Sequence, residues 1–151
     1  MSKTTACTIP RAFSGANKLE HLPIISDCKI TLSGLENMCN NCYNLKEINI
    51  DFDNWDLSSL ANASYGSEGD WHSSCYSLRQ IPMNYYNKLF QIKTTGKTSS
   101  YNSMYYNLCY NCYNIDEVID VPVMNMDKYT SNAFVDSFTN TYRLKDFIFK
   151  V

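Results

Sequence analysis

Large, small and aliphatic side chains recur along the chain in one order. A large residue is followed at +3 by a small one, at +6 by Leu or Ile, and at +9 by an apolar residue. The clearest copies are Cys39, Cys42, Leu45, Ile48 and Cys109, Cys112, Ile115, Val118. His72, Cys75, Leu78, Ile81 and Phe138, Thr141, Leu144, Phe147 keep the frame, and Phe13, Ala16, Leu19, Leu22 form a weaker first copy. Four positions before the large residue stands Ile9, Leu35, Tyr105 or Phe134; the third copy has Glu68 there. Spacings of four and three predict one face of a short helix. Ser33 with Glu36 fits a capping box, and Ser99, Ser100, Thr130 and Ser131 are further cap candidates. After the Leu column the period falls to two, at Ile48, Ile50, Phe52 and at Phe147, Phe149, Val151, which predicts strands. Pro23, Pro82 and Pro122 would end them.

The expectation is a single α/β domain over residues 1–151, built from about five stacked helix–turn–strand units. One such unit cannot bury its apolar face alone, so neighbours must cover it. The Leu/Ile column at 19, 45, 78, 115 and 144 is spaced by 26, 33, 37 and 29 residues. The excess falls in segments 54–70 and 84–101, which are expected to be loop insertions and places for binding.

The frame Phe-x-x-Cys-x-x-Leu-x-x-Ile, followed by Pro, resembles the BspA-like class of leucine-rich repeats. The resemblance runs from about Ile9 to Val151, with the two insertions, His72 and Glu68 as departures. It implies a leucine-rich-repeat-like solenoid and a non-enzymatic protein-binding module. Relatives of that kind occur in bacterial surface adhesins, protozoan surface proteins and structural proteins of bacteriophages.

Net charge is −2 with Lys and Arg scattered singly, which disfavours nucleic acid as a partner. No apolar run reaches the roughly 20 residues of a membrane helix. The first ten residues lack the apolar core of a secretory signal, so synthesis in the cytoplasm without export is expected. Seven Cys is an odd number; thiols in a column that also accepts Ala16 and Thr141 read as small buried filler, reduced in a cytosol.

Cys39-x-x-Cys42 and Cys109-x-x-Cys112 have zinc-like spacing. The equivalent pairs His72/Cys75 and Phe138/Thr141 are explained by packing and not by ligation. Units two apart would also lie roughly 10 Å apart, too far for one ion with ligands near ~2.3 Å. No metal and no cofactor is therefore expected. His72 and Cys75 could form a nucleophile pair, but no orienting carboxylate stands near them in sequence, and a packed histidine is the simpler reading. Asp51, Asp53 and Asp56 lack the Gly and Glu of a calcium loop. Asn62-Ala63-Ser64 fits a glycosylation acceptor.

The candidate binding residues are aromatic. Tyr43, Tyr76, Tyr113 and Tyr142 follow the small column directly, and Tyr85 and Tyr86, with Tyr105, Tyr106 and Tyr110, surround the second insertion. Such a column either stacks on itself or offers a stiff amphipathic contact stripe, and the two are compatible. The apolar end Phe147-Ile148-Phe149-Lys150-Val151 has no polar cap, so self-association or cover by another subunit is expected there. The reading is a structural or decoration subunit of a large assembly such as a bacteriophage virion; the alternative is a surface-adhesin fragment binding host protein or glycan.

Overall fold

Two residues in each of four repeats, and one described residue in the third, adopt left-handed backbone, and they decide the local structure. They lie five and one positions before the small column: Arg11 and Gly15, Asn37 and Asn41, Asn107 and Asn111, Asp136 and Asn140, with Ser74 in the third repeat. Their φ values run from 50° to 75°. Right-handed helix cannot pass through such residues, and Gly and Asn are the types that enter this region at least cost. The repeats therefore fold as chains of tight turns over 10–18, 34–44, 71–77, 107–114 and 136–143.

The turns close on themselves at i→i+3, as where Ala16 N–H donates to the Phe13 carbonyl and Cys42 N–H to Cys39. Alternate amides point outward to the next turn. Arg11, Phe13 and Gly15 donate to the carbonyls of Glu36, Met38 and Asn40 at 2.9, 2.8 and 2.9 Å. Cys39 and Asn41 donate to Trp71 and Ser73, Ser74 to Tyr110, and Cys109 and Asn111 to Ser137 and Thr139. An α-helix would use those amides internally, so turn geometry lets neighbouring repeats be joined by backbone hydrogen bonds.

The computed structural model describes residues 6–7, 9–25, 28–31, 34–62, 71–95, 107–121 and 136–149. The proposed caps Ser33, Ser99, Ser100, Thr130 and Ser131 lie outside them, as do Glu68, Tyr105, Tyr106, Pro122, Phe134, Val151 and most of the Asn62-Ala63-Ser64 acceptor. Strands β1 (Ala6–Cys7) and β2 (Lys29–Ile30) pair in parallel, with Ala6 opposite Lys29. Helix α1 (Met83–Thr95) follows Pro82, and strands β3 (Val118–Val121) and β4 (Asp146–Phe149) pair in parallel, with Val118 opposite Asp146. Short 3₁₀ turns occupy Phe52–Asn54 and Ser58–Asn62.

The expected leucine-rich-repeat-like solenoid of about five helix–turn–strand units with two loop insertions is thereby corrected. Among the described residues one α-helix forms, and it lies in the second supposed insertion, not in a repeat. Regular strands among the described residues amount to two two-stranded sheets. The alternation after Leu45 gives only an isolated bridge between Glu47 and His21, then a 3₁₀ turn; that after Leu144 does give β4.

The described parts of the insertions, 54–62 and 84–95, are not surface loops either. Trp55, Leu57 and Leu60 from the first, and Tyr85, Tyr86 and Leu89 from α1, join Leu45, Cys75, Leu78 and Ile115 in one core. Phe52 is its hub, with ring centroids 4.9 Å from Trp55, 5.8 Å from Trp71 and 5.1 Å from Tyr85. Lys88 of α1 fastens the first 3₁₀ turn. Its Nζ donates to the carbonyls of Phe52, Asp53 and Trp55 at 3.0, 2.6 and 2.6 Å. No helix among the described residues is long and apolar enough to cross a membrane.

Candidate functional site

The stacked turns bring each column of the repeat into a row. The small column is a row of donors. Cys42 Sγ donates to the Phe13 carbonyl at 3.0 Å, Cys75 Sγ to Cys39 at 3.1 Å, Cys112 Sγ to His72 at 3.5 Å, and Thr141 Oγ1 to Cys109 at 2.9 Å. Each reaches the large-column carbonyl of the turn before. Ala16 belongs to the first of the five turns and needs no donor. A thiol and a hydroxyl of similar size thus exchange within one column.

Burial disfavours ionisation of four of the thiols. Desolvation pushes Cys42 up to about 11 and raises Cys39, Cys109 and Cys112 strongly. A thiol held protonated is a poor nucleophile and a poor metal ligand. Among the described residues no three His, Cys, Asp or Glu side chains gather as a cation site. Cys39, Cys42, Cys75, Cys109 and Cys112 are free and buried. Cys7 and Cys28 are instead joined in a disulfide beside β1 and β2, with Cα atoms 5.5 Å apart. That corrects the expectation that all the thiols are reduced.

His72 is fully enclosed. Its Nε2 lies 2.8 Å from the Tyr86 hydroxyl, and its Nδ1 has no partner. Desolvation lowers it to about 4, so it is neutral near pH 7. Cys75 spends its proton on the Cys39 carbonyl, which leaves no His72–Cys75 nucleophile pair.

The tyrosine column stacks on itself along one side. Tyr43 and Tyr76 have centroids 4.4 Å apart at 12°, Tyr76 and Tyr113 4.7 Å at 18°, and Tyr113 and Tyr142 5.7 Å at 22°. The second distance matches the spacing of hydrogen-bonded strands, about 4.7–4.9 Å, and the first is slightly shorter. Ring faces cover one another, and the Tyr142 hydroxyl donates to the Asn140 side chain at 2.8 Å. The last ring, Tyr142, is 76% exposed. Desolvation, then the flanking Tyr43 and Tyr113 phenols, raises the Tyr76 hydroxyl above its ordinary range. Beside the rings, Asn44 donates to the Asn17 carbonyl at 2.6 Å and Asn114 to that of Tyr76 at 2.9 Å. On the other flank Asn140 donates to Asn111 at 2.8 Å and Asn111 to Ser74 at 3.3 Å.

The structure does not bring all six candidate tyrosines together. Tyr43, Tyr76, Tyr113 and Tyr142 form the ladder. Tyr85 and Tyr86 are fully buried in the core, where α1 turns them towards Phe52, Trp71 and His72. They supply packing, not contact surface.

Sequence reasoning missed the groove next to the ladder. Three positions after each tyrosine, or after Asn17, stands a charge: Glu20, Lys46, Arg79, Asp116 and Lys145. Backbone bonds join the first four in order, with Lys46 N–H to the Glu20 carbonyl, Arg79 to Lys46, and Asp116 to Arg79, whereas Lys145 N–H donates to the Glu117 carbonyl. Two adjoining depressions of about 510 and 400 Å³ share Lys46, Arg79 and Asp116. The larger has Ile48, Ile81, Pro82 and Met83 along it; the smaller is polar, with Ser77, Asn114 and Arg143. The repeated charge at one column was the signal that could have found it.

No protein-family model, curated protein or solved structure matches the chain.

Proposed function

We propose that this protein is a non-enzymatic docking module, and that it serves as a structural or decoration subunit of a larger assembly such as a bacteriophage virion. The observation that carries this reading is the ladder of Tyr43, Tyr76, Tyr113 and Tyr142. Its rings are fixed by mutual stacking before any partner arrives. Binding then costs little side-chain entropy, and tyrosine offers apolar area and a hydroxyl at once. The burial of His72 and the five free thiols also supports it, since the strongest potential nucleophiles are protonated or enclosed.

The test is size-exclusion chromatography of material from the native source, with tyrosine-directed cross-linking. The 17.4 kDa chain should elute in a far larger complex, with cross-links from the ladder to another polypeptide. Tyr76→Ser combined with Tyr142→Ser should release it. Elution as a monomer without cross-links would sink the reading.

One observation favours the adhesin alternative. The Cys7–Cys28 disulfide suits an oxidising compartment better than a cytosol. Retention of that disulfide in protein taken from intact cell surfaces would select it.

A further inference from the structure

We infer that the groove around Arg79 seats an acidic peptide segment of the docking partner, a carboxylate on the Arg79 guanidinium and an adjacent apolar side chain against Ile81, Pro82 and Met83. This rests on the docking reading above and names the chemistry of what docks.

The charge column is neutralised on both sides of Arg79 but not at it. Lys46 Nζ pairs with Glu20 at 2.6 Å. Asp116 pairs with Arg143 at 3.3 Å and Lys145 at 3.1 Å. Glu47 faces His21 at 2.9 Å. Arg79 lies between Lys46 and Asp116 in the ladder, yet among the described residues its guanidinium has no ion pair. The nearby carboxylates are engaged elsewhere, and its neighbour Lys46 carries like charge. A guanidinium is a rigid fork of donors that fits a carboxylate with two parallel bonds.

The surroundings favour a peptide. Ile81 and Pro82 are buried and Met83 half-buried, which places apolar side chains along one part of the larger depression, beginning two residues after Arg79, while Glu47 and Asp116 also line it. The combined space suits a few residues in extended form. An acidic sugar would seek an open aromatic face, but in the ladder all but the end faces are covered by neighbouring rings.

Fluorescence anisotropy on the full chain tests this, with a labelled octapeptide that carries a Glu-Glu-Leu core in Gly/Ser flanks and its Gln-Gln-Leu counterpart. The acidic peptide should bind about tenfold more tightly, the ratio one well-made charged contact supplies. Arg79→Gln should erase that ratio, with the fold checked by circular dichroism. Lys29→Gln, at the Lys29–Asp56 pair away from the groove, should leave it intact. Added salt should weaken only the acidic peptide. Equal binding of both peptides, or indifference to Arg79→Gln, overturns the inference. So does tighter Arg79-dependent binding of trigalacturonate, which would make the ligand an acidic sugar. Loss of the native complex on ladder substitution but not on Arg79→Gln would overturn the Arg79 site and keep the docking reading.

Discussion

At the scale of single residues the small column carries the most information. Its sequence, Ala, Cys, Cys, Cys, Thr, reads as a slot for a small side chain, and that much was legible. The donor role was not, because each accepting carbonyl lies 29 to 40 residues upstream. Cys75→Ala should therefore cost more than lost volume. It leaves the buried Cys39 carbonyl with the Cys42 N–H alone, the loss of one hydrogen bond, an effect of about 0.5–1.5 kcal/mol. Cys75→Ser keeps the donor and should retain most of the stability. Equal urea midpoints for the two variants would refute the donor account. His72 predicts a pH effect. Its folded value near 4 lies below the ordinary 6.5, so the unfolded chain binds more protons between them. Stability is then full above about pH 6.5 and falls as pH drops towards 4, by roughly 3 kcal/mol. His72→Phe, the residue type of Phe13 and Phe138 in this column, should flatten that slope in thermal melts from pH 7 to 4.5.

At the scale of elements, a spacing of four and three fits a helix face and also fits a coil of successive tight turns. What separates them is the Asn, Gly, Ser and Asp at the two left-handed positions, visible in the sequence but outweighed by apolar periodicity. Asn41, at φ 62°, tests the distinction. Asn41→Gly should be nearly neutral, whereas Asn41→Val should cost about 1–2 kcal/mol from the crowding of Cβ against the carbonyl. In a helix the order would reverse, since Gly is the weaker helix former. Chemical denaturation of the two variants decides it. The helix that does form was hidden because its segment, Met83–Thr95, follows a proline and lies in a stretch rich in Tyr and Asn. Its stability comes from Tyr85, Tyr86 and Leu89 in the core and from Lys88 on the 3₁₀ turn, contacts that no local pattern displays.

At the scale of the whole molecule, repetition itself was legible, and so was the self-stacking of the tyrosine column. The shape of the repeating unit was misread, and so was the role of the insertions. These supply Trp55, Leu57, Leu60, Tyr85 and Tyr86, and without them the turns would have little to pack against on that side. The ladder also makes the molecule its own optical reporter. Four phenol chromophores held nearly parallel, face to face, at 4.4 to 5.7 Å couple electronically. Their near-ultraviolet circular dichroism should be a property of the set rather than of its members. Tyr76→Phe leaves the spacing in place, whereas Tyr76→Ser divides the row into one isolated ring and one pair. The second change should remove far more ellipticity than one ring's share, and strictly additive loss would mean that the chromophores are independent.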